Sequence, residues 1–253
     1  CERVAPGKLH VNGVDHGHWF ADVGFSRAQL ATTGSATALH TWAKFTGALD
    51  RYGPMGVGSL HLADYCIELA RAYHTDLRRP LWVQEAGCSR LWLDEAQIPA
   101  FLEQTVRNAL ACETLWGFTW WCSHDLSPQL RGFDTLEYDL GLLDAANRPK
   151  PAARHLARLI AAWRAEPPAP QTRTVGLVLP DALFAGKPAP VWDAGAAFMA
   201  LVGEGVHPAI VLASRAEDSA YLAARGIREL LVLPKREQTA PATDGLPVTA
   251  TSE

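Results

Sequence analysis

An α/β fold with parallel sheet, arranged in two units, is predicted by three features of the 253-residue chain. Short apolar runs alternate with helix-period patterns, Gly and Pro bound the runs, and the tryptophan content changes abruptly across a proline-rich stretch. Leu9 to Val14 reads as the first strand, followed by a short helix near Ser26 to Thr33. Thr37 to Trp42 is the next strand and Leu60 to Tyr73 its helix. Leu81 to Gln84, between Pro80 and Gly87, is a third strand. Ile98 to Leu115 follows as a helix with Leu102, Val106 and Leu110 spaced four apart on one side. The fourth strand is Gly117 to Trp121, and a helix from about Lys150 to Ala165 starts with Pro151 in its first turn.

Glu166 to Gln171 carries three prolines and reads as a linker, because eight of the nine tryptophans precede it and only Trp192 follows. The predicted units are therefore residues 1–165, a linker at 166–172, a small domain at 173–235 and a disordered tail at 236–253. Within the small domain the pattern is strand (Thr174 to Leu179), helix (Ala194 to Leu201), strand (Ala209 to Ala213), helix (Asp218 to Arg225) and strand (Glu229 to Leu233), a βαβαβ order. It has neither a G-x-G-x-x-G loop nor a P-loop, so no nucleotide cofactor is implied.

A net charge of −4 with interspersed signs gives no positive field for polyphosphate, so nucleic acid is not an expected partner. The basic cluster Arg71, Arg78 and Arg79 reads as cations at a helix end. Five cysteines without C-x-x-C spacing suggest reduced thiols, neither a disulfide framework nor zinc. No apolar run approaches the roughly 20 residues of a membrane helix and no signal peptide opens the chain, so no membrane partner and a cytoplasmic location are expected. The abrupt start at Cys1 reads as a cut.

Strand ends carry the polar and aromatic residues. Asp15, His16 and His18 follow the first predicted strand, and His40 and Trp42 end the second. Glu85 ends the third, and Trp120 and Trp121 end the fourth, with His124 and Asp125 beyond. In parallel barrels catalytic groups sit at these ends, and a carboxylate beside aromatic faces suits glycoside chemistry. Singly, each has an ordinary reading. A lone strand-end Glu is commonly a loop cap, and Trp82 and Trp92 read as packing residues. Asp94 and Glu95 read as helix-start charges, Cys88 as an inert thiol, and His16 with His18 as an H-x-H pair lacking a third metal ligand.

The segments Pro80-Leu-Trp-Val-Gln-Glu85-Ala-Gly87, Trp116-Gly-Phe-Thr-Trp120-Trp121, and Gly141-Leu-Leu-Asp144 through Asn147-Arg-Pro-Lys150-Pro151 resemble clan A glycoside hydrolases, families 5, 35 and 42 in particular. The resemblance spans about Val11 to Trp163. It implies a partial (β/α)8 TIM barrel, about strands 5 to 8, followed by a small flavodoxin-like accessory domain. It places Glu85 as the nucleophile of a retaining β-glycosidase, Trp120 as the floor under the reacting sugar, and His40 on a hydroxyl or on Glu85. Trp42 stands where the family has Tyr, and an indole N–H donates but cannot accept. Trp121 and His16 complete the expected carbohydrate site, with no cofactor and no metal.

The family's acid/base follows an Asn at the end of the fourth strand, and no Asn-Glu pair occurs here. A full barrel takes about 250 residues, so the glycosidase is expected to be incomplete in this chain, and without its acid/base the hydrolysis of an ordinary glycoside is expected to be very slow. Asp15, Asp125 and Asp134 are weak substitutes. β-Galactoside, β-mannoside and β-glucoside remain open as substrates. The alternatives are a carbohydrate-binding or structural remnant whose open strand edges pair in a homo-oligomer, and a doubly wound protein whose tryptophans are core.

Overall fold

The computed structural model describes residues 1, 3–21, 23–181 and 191–232. Its first sheet has order β1-β2-β3, all parallel, from Thr37–His40 (β1), Leu81–Ala86 (β2) and Leu115–Trp120 (β3). Ahead of β1 lie the short helices Gly17–Phe20 (α1) and Arg27–Thr32 (α2). Ser26 caps α2 in a capping box with Gln29, the hydroxyl accepting from the Gln29 N–H. Between β1 and β2 come Ala48–Tyr52 (α3), Val57–Leu60 (α4) and Leu62–Tyr73 (α5). Ile98–Leu110 (α6) joins β2 to β3, and Pro151–Ala165 (α7) follows β3.

Two expectations about this region change. Leu9 to Val14 forms no strand: the Ser35 N–H donates to the His10 carbonyl at 2.7 Å, the His10 N–H donates to Ser35 Oγ at 3.1 Å, and Val14 packs on the core, but no ladder forms around these contacts. The helix predicted to reach Leu115 stops at Leu110, because Thr114, at φ 63°, turns the chain into β3.

The second sheet, order β5-β4-β6 and parallel throughout, is built from Val175–Leu179 (β4), Ala209–Leu212 (β5) and Glu229–Val232 (β6). Val191–Gly203 (α8) and Ser219–Ala224 (α9) are its helices, and Asp218 caps α9 by accepting from Tyr221 N–H. The predicted tail lies outside the described residues.

Helix α5 joins the sheets. It is buried from Leu62 to Ala72, since Leu39, Leu81 and Val83 of the first sheet share one apolar cluster with Leu177 and Ile210 of the second and Phe198 of α8, and α5 lies within that cluster. Such a helix has no solvent face for its charges, so each needs a partner. Glu68, fully buried, meets Arg71 at 2.9 Å, Arg225 at 2.5 Å and Arg173 at 3.5 Å. Burial alone would raise its carboxyl, but Arg71, Arg225 and Arg173 hold it below the usual range. Arg71 stands in the last turn of α5, as expected of a helix-end cation, but it is buried there and paired with Glu68 and Glu113. Arg79 bonds the carbonyls of Thr33 and Gly34.

Candidate carbohydrate site

Glu85 ends the central strand of the first sheet, with its side chain 24% exposed. The neighbouring strand end fixes it. Trp42 Nε1 donates to Glu85 Oε2 over 3.0 Å, and His40 Nδ1 stands 3.4 Å from the same oxygen. His40 Nε2 pairs with the Gln84 side-chain amide at 3.0 Å, so the imidazole is clamped between two residues of β2. The backbone is tied in the same way, the Thr41 N–H donating to the Glu85 carbonyl at 2.8 Å. His16 lies within electrostatic reach of both Glu85 and His40. Burial holds its imidazole below the ordinary value, with Asp15 acting against that and His40 adding to it.

Gly87 is the pivot of the site. A Cβ there would lie 2.5 Å from the Trp121 carbonyl oxygen and 2.7 Å from Trp42 Cη2, so only a residue without one lets the β1 and β3 ends close around Glu85. The Trp121 N–H also donates to the Ala86 carbonyl at 2.7 Å.

The two tryptophans ending β3 separate. Trp120 is 8% exposed and packs against Phe101 of α6, with centroids 6.3 Å apart, among Leu102, Val106 and Leu159. Strand alternation sends its ring to the helix side, leaving no free face for a sugar. Trp121, one residue on, is 41% exposed. Trp82 donates to Thr119 at 2.9 Å.

The remaining candidates have structural partners. Asp125 accepts from Lys150 at 2.8 and 3.1 Å and from the Gly141 N–H at 2.7 Å, and Asp15 accepts from the Gly17 N–H at 2.8 Å. His18 lies 3.4 Å from Asp15, while His16 stacks on Phe45. Among the described residues, no group of three His, Cys, Asp or Glu could hold a metal ion. All five cysteines are free, and burial with the Asp139 charge pushes the Cys88 thiol up to about 12, an unreactive state. Among the described residues no helix is long and apolar enough to cross a membrane.

Two features escape sequence reading. Glu137, in the 3-10 helix Thr135–Asp139, has its carboxyl raised by burial, with the charges of Asp134 and Glu85 adding to it. Nothing in its spacing distinguishes it. The aromatic neighbours Phe45 and Trp92 stand beside Trp42. The sequence marks Trp92 only as a packing residue, and nothing in the spacing pairs it with Phe45 or Trp42.

The sequence matches no family model and no curated protein. Solved structures do resemble it. GH5_18 from Streptomyces cattleya, in complex with GlcNAc, is 40% identical with a TM-score of 0.84 over 92% of this chain and 57% of that one. A glutamate-to-alanine variant of GH5_18 from Bifidobacterium longum subsp. longum ATCC 55813, in complex with Manb1-4GlcNAc, is 35% identical with a TM-score of 0.81 over 90% and 55%. The exo-beta-1,4-mannosidase Op5Man5 from Opitutaceae bacterium strain TAV5, 19% identical with a TM-score of 0.67 over 91% and 43%, shares the fold. The chain thus spans little more than half the length of the first two.

Proposed function

We propose, since the chain is a relative of the clan A glycoside hydrolases, that it is the nucleophile-bearing part of a retaining β-glycosidase, with a β-linked mannoside as the preferred substrate class. The observation that carries the reading is the seating of Glu85, half-open at the centre of the sheet and held by the Trp42 N–H at 3.0 Å. A carboxylate so fixed is poised to attack an anomeric carbon. One Glu85 oxygen bonds to C1 as the bond from C1 to the leaving oxygen breaks. Water then releases the sugar from the ester. Manb1-4GlcNAc, held by the Bifidobacterium longum relative and by a glutamate-to-alanine variant of the Streptomyces cattleya one, favours mannose among the three sugars left open.

Trp121 replaces Trp120 as the proposed platform under the reacting sugar, because its ring is open where the other is packed. His40 and His16 are assigned to sugar hydroxyls and to orienting Glu85. In this reading β1, β2 and β3 are the sixth, seventh and eighth strands of a (β/α)8 barrel, and the sheet β4 to β6 with α8 and α9 belongs to a flavodoxin-like unit packed on α5. The unpaired edges of β1 and β3 are where further strands, of this barrel or of a second copy, would add. The proton donor is not assigned to any residue here: Asp125 and Asp15 are engaged, and the sequence holds no Asn-Glu pair.

The test is intact-mass and peptide mapping after incubation with 2-deoxy-2-fluoro β-glycosides carrying a dinitrophenolate, in manno, gluco and galacto forms. That leaving group departs without an acid. Ester formation on Glu85, fastest with the manno form, is expected; folded protein that takes no label from any of the three would overturn the reading.

A further inference from the structure

Helix α5 also borders a cavity whose walls share no residue with the site around Glu85. It holds about 230 Å3 between α5, the last turn of α6, the linker and the turn entering β5. Its one buried wall residue is Asp64, 1% exposed, whose Oδ2 accepts from Arg173 Nη2 at 3.4 Å. Asp64 Oδ1 accepts no hydrogen bond, although His61 Nδ1 straddles the carboxylate, 3.2 Å from Oδ1 and 3.3 Å from Oδ2. A buried carboxylate oxygen left unsatisfied carries its full desolvation cost, so a cavity at its side suits an occupant that donates.

The other walls are polar without net charge. Arg107 is neutralised by Glu103 at 2.8 Å and lies 5.7 Å over the Trp163 ring. Burial, with Arg173 and His61 adding to it and Asp64 acting against it, holds the His207 imidazole below its ordinary value, so it is uncharged at neutral pH. Asn108 Nδ2 donates to the Leu60 carbonyl at 2.9 Å, which leaves its amide oxygen as an acceptor. The Gln171 N–H ties the linker to the Ala111 carbonyl at 2.9 Å, and its exposed side-chain amide stands at the mouth. Pro168 and Ala169 add C–H surface.

Each cation here has its own carboxylate, Arg173 with Asp64 and Arg107 with Glu103, so neither an anion nor a cation meets an unbalanced charge. What remains is hydrogen-bonding capacity: one carboxylate oxygen, two amides and an imidazole. A small molecule that carries several hydroxyls on a C–H frame matches such a wall. The space is below the about 300–1,000 Å3 of a drug-sized pocket, which limits the occupant to roughly one sugar ring. We propose that this cavity is a second binding site, for a free neutral polyhydroxyl compound of monosaccharide size whose hydroxyl donates to Asp64. The site does not depend on the role of Glu85. Because α5, α6, the linker and the turn before β5 each supply a wall, its occupant clamps the second sheet onto the first.

The experiment titrates the full chain with mannose and with N-acetylglucosamine, reading the imidazole 15N signals of His61 and His207 and the indole 15N signal of Trp121. Saturable shifts of both histidines are expected, with a melting temperature that rises with sugar concentration. Ala169→Trp plugs the mouth from an exposed position, so it should fold, and it should weaken the binding seen at His207 about tenfold or more. Asp64→Asn should weaken it as well, and Ala169→Trp carries the test if that variant is unstable. Glucosamine and glucuronate, charged counterparts of the same ring, should bind more weakly than the neutral sugars. The proposal is overturned by a cavity that holds water only, with no saturable shift at His207, or by shifts confined to Trp121. Binding at His207 that Ala169→Trp leaves unchanged, or that is tighter for either charged sugar, overturns it too. Neither histidine readout depends on ester formation at Glu85, so this proposal and the glycosidase reading fail separately.

Discussion

The Trp42 indole donates to Glu85 Oε2 over 3.0 Å, from a ring that is itself buried and boxed by Phe45 and Trp92. Because the indole cannot accept, it fixes one carboxylate oxygen and leaves the other to attack. Trp42→Phe keeps most of the ring and removes the donor. A hydrogen bond to a charged group is worth about 1.5–3 kcal/mol, so labelling of Glu85 should slow by roughly ten- to a hundredfold, with melting temperature little changed. A rate within twofold of the parent would show that the bond does not orient the nucleophile.

Gly87 tests the closure of the site. An Ala Cβ would meet the Trp121 carbonyl and the Trp42 ring at 2.5 and 2.7 Å, and the first of these is backbone that cannot rotate away. Gly87→Ala should therefore push apart the two strand ends flanking Glu85. Overpacking of this kind costs about 1–3 kcal/mol, and a displacement near 1 Å costs about a hundredfold in rate. Labelling kinetics set beside circular dichroism would check this, since loss of rate with native secondary structure is the expected pair of results.

These two contacts also mark what was legible beforehand. Glu85 and His40 could be found because strands of a parallel sheet end together, and bounding Pro80 and Gly87 fixed where β2 ends. The distinction between Trp120 and Trp121 could not, because a one-residue error at a strand end reverses the face, and only packing against Phe101 decides it. Leu9 to Val14 has the composition of a strand but no partner to pair with, and pairing is not a local property. Glu137 sits in a five-residue 3-10 helix, too short for any period to mark it. The partners of Arg71 were illegible for a related reason: its place in the last turn of α5 is local, whereas its burial and its pairing with Glu113 depend on packing between elements.

Glu68 makes that burial measurable. Three guanidinium groups converge on one carboxylate, two of them from beyond the linker. Glu68→Gln keeps the shape but leaves the cations of Arg71, Arg173 and Arg225 short of a counter-charge. Breaking a buried pair typically costs about 3–5 kcal/mol. Urea unfolding should show a loss of that order. If the two sheets melt as one unit in the parent, the variant should show the β4 to β6 region loosening first by hydrogen exchange.

Acid should weaken the same junction through His74. Burial, with Arg79 and Arg71 adding to it, lowers its imidazole to about 3, and its Nε2 pairs with Thr37 Oγ1 at 3.0 Å. The unfolded chain takes up this proton near pH 6.5, whereas the folded one resists it until about pH 3. Between those values the unfolded state binds more protons, so stability rises with pH. The contribution is present above pH 6.5 and lost as pH falls toward 3. Denaturation midpoints at pH 7, 5.5 and 4.5 should fall in that order, and His74→Gln should flatten the part of the slope that this residue carries.

Lys150 ties the loops that follow β2 and β3. Its ammonium reaches Asp125 at 2.8 and 3.1 Å and the Asp139 carbonyl at 3.1 Å, and Asp139 in turn accepts from the Arg90 N–H at 2.6 Å and from Ser89 Oγ at 3.3 Å. Ser89 and Arg90 lie just past Glu85 and Gly87, so a cation at the start of α7 holds the exit of the central strand. Lys150→Met leaves Asp125 and Asp139 facing each other, nearly buried, without that cation. Stability should fall by about 3 kcal/mol or more, and Glu85 labelling should slow as its loop loosens. Adding Asp125→Asn removes one stranded charge and should recover part of the stability but not the labelling rate, since the tether to Asp139 is still missing. Full recovery of both in the double variant would mean that Lys150 acts only by neutralising Asp125, and that the loop after β2 needs no tether.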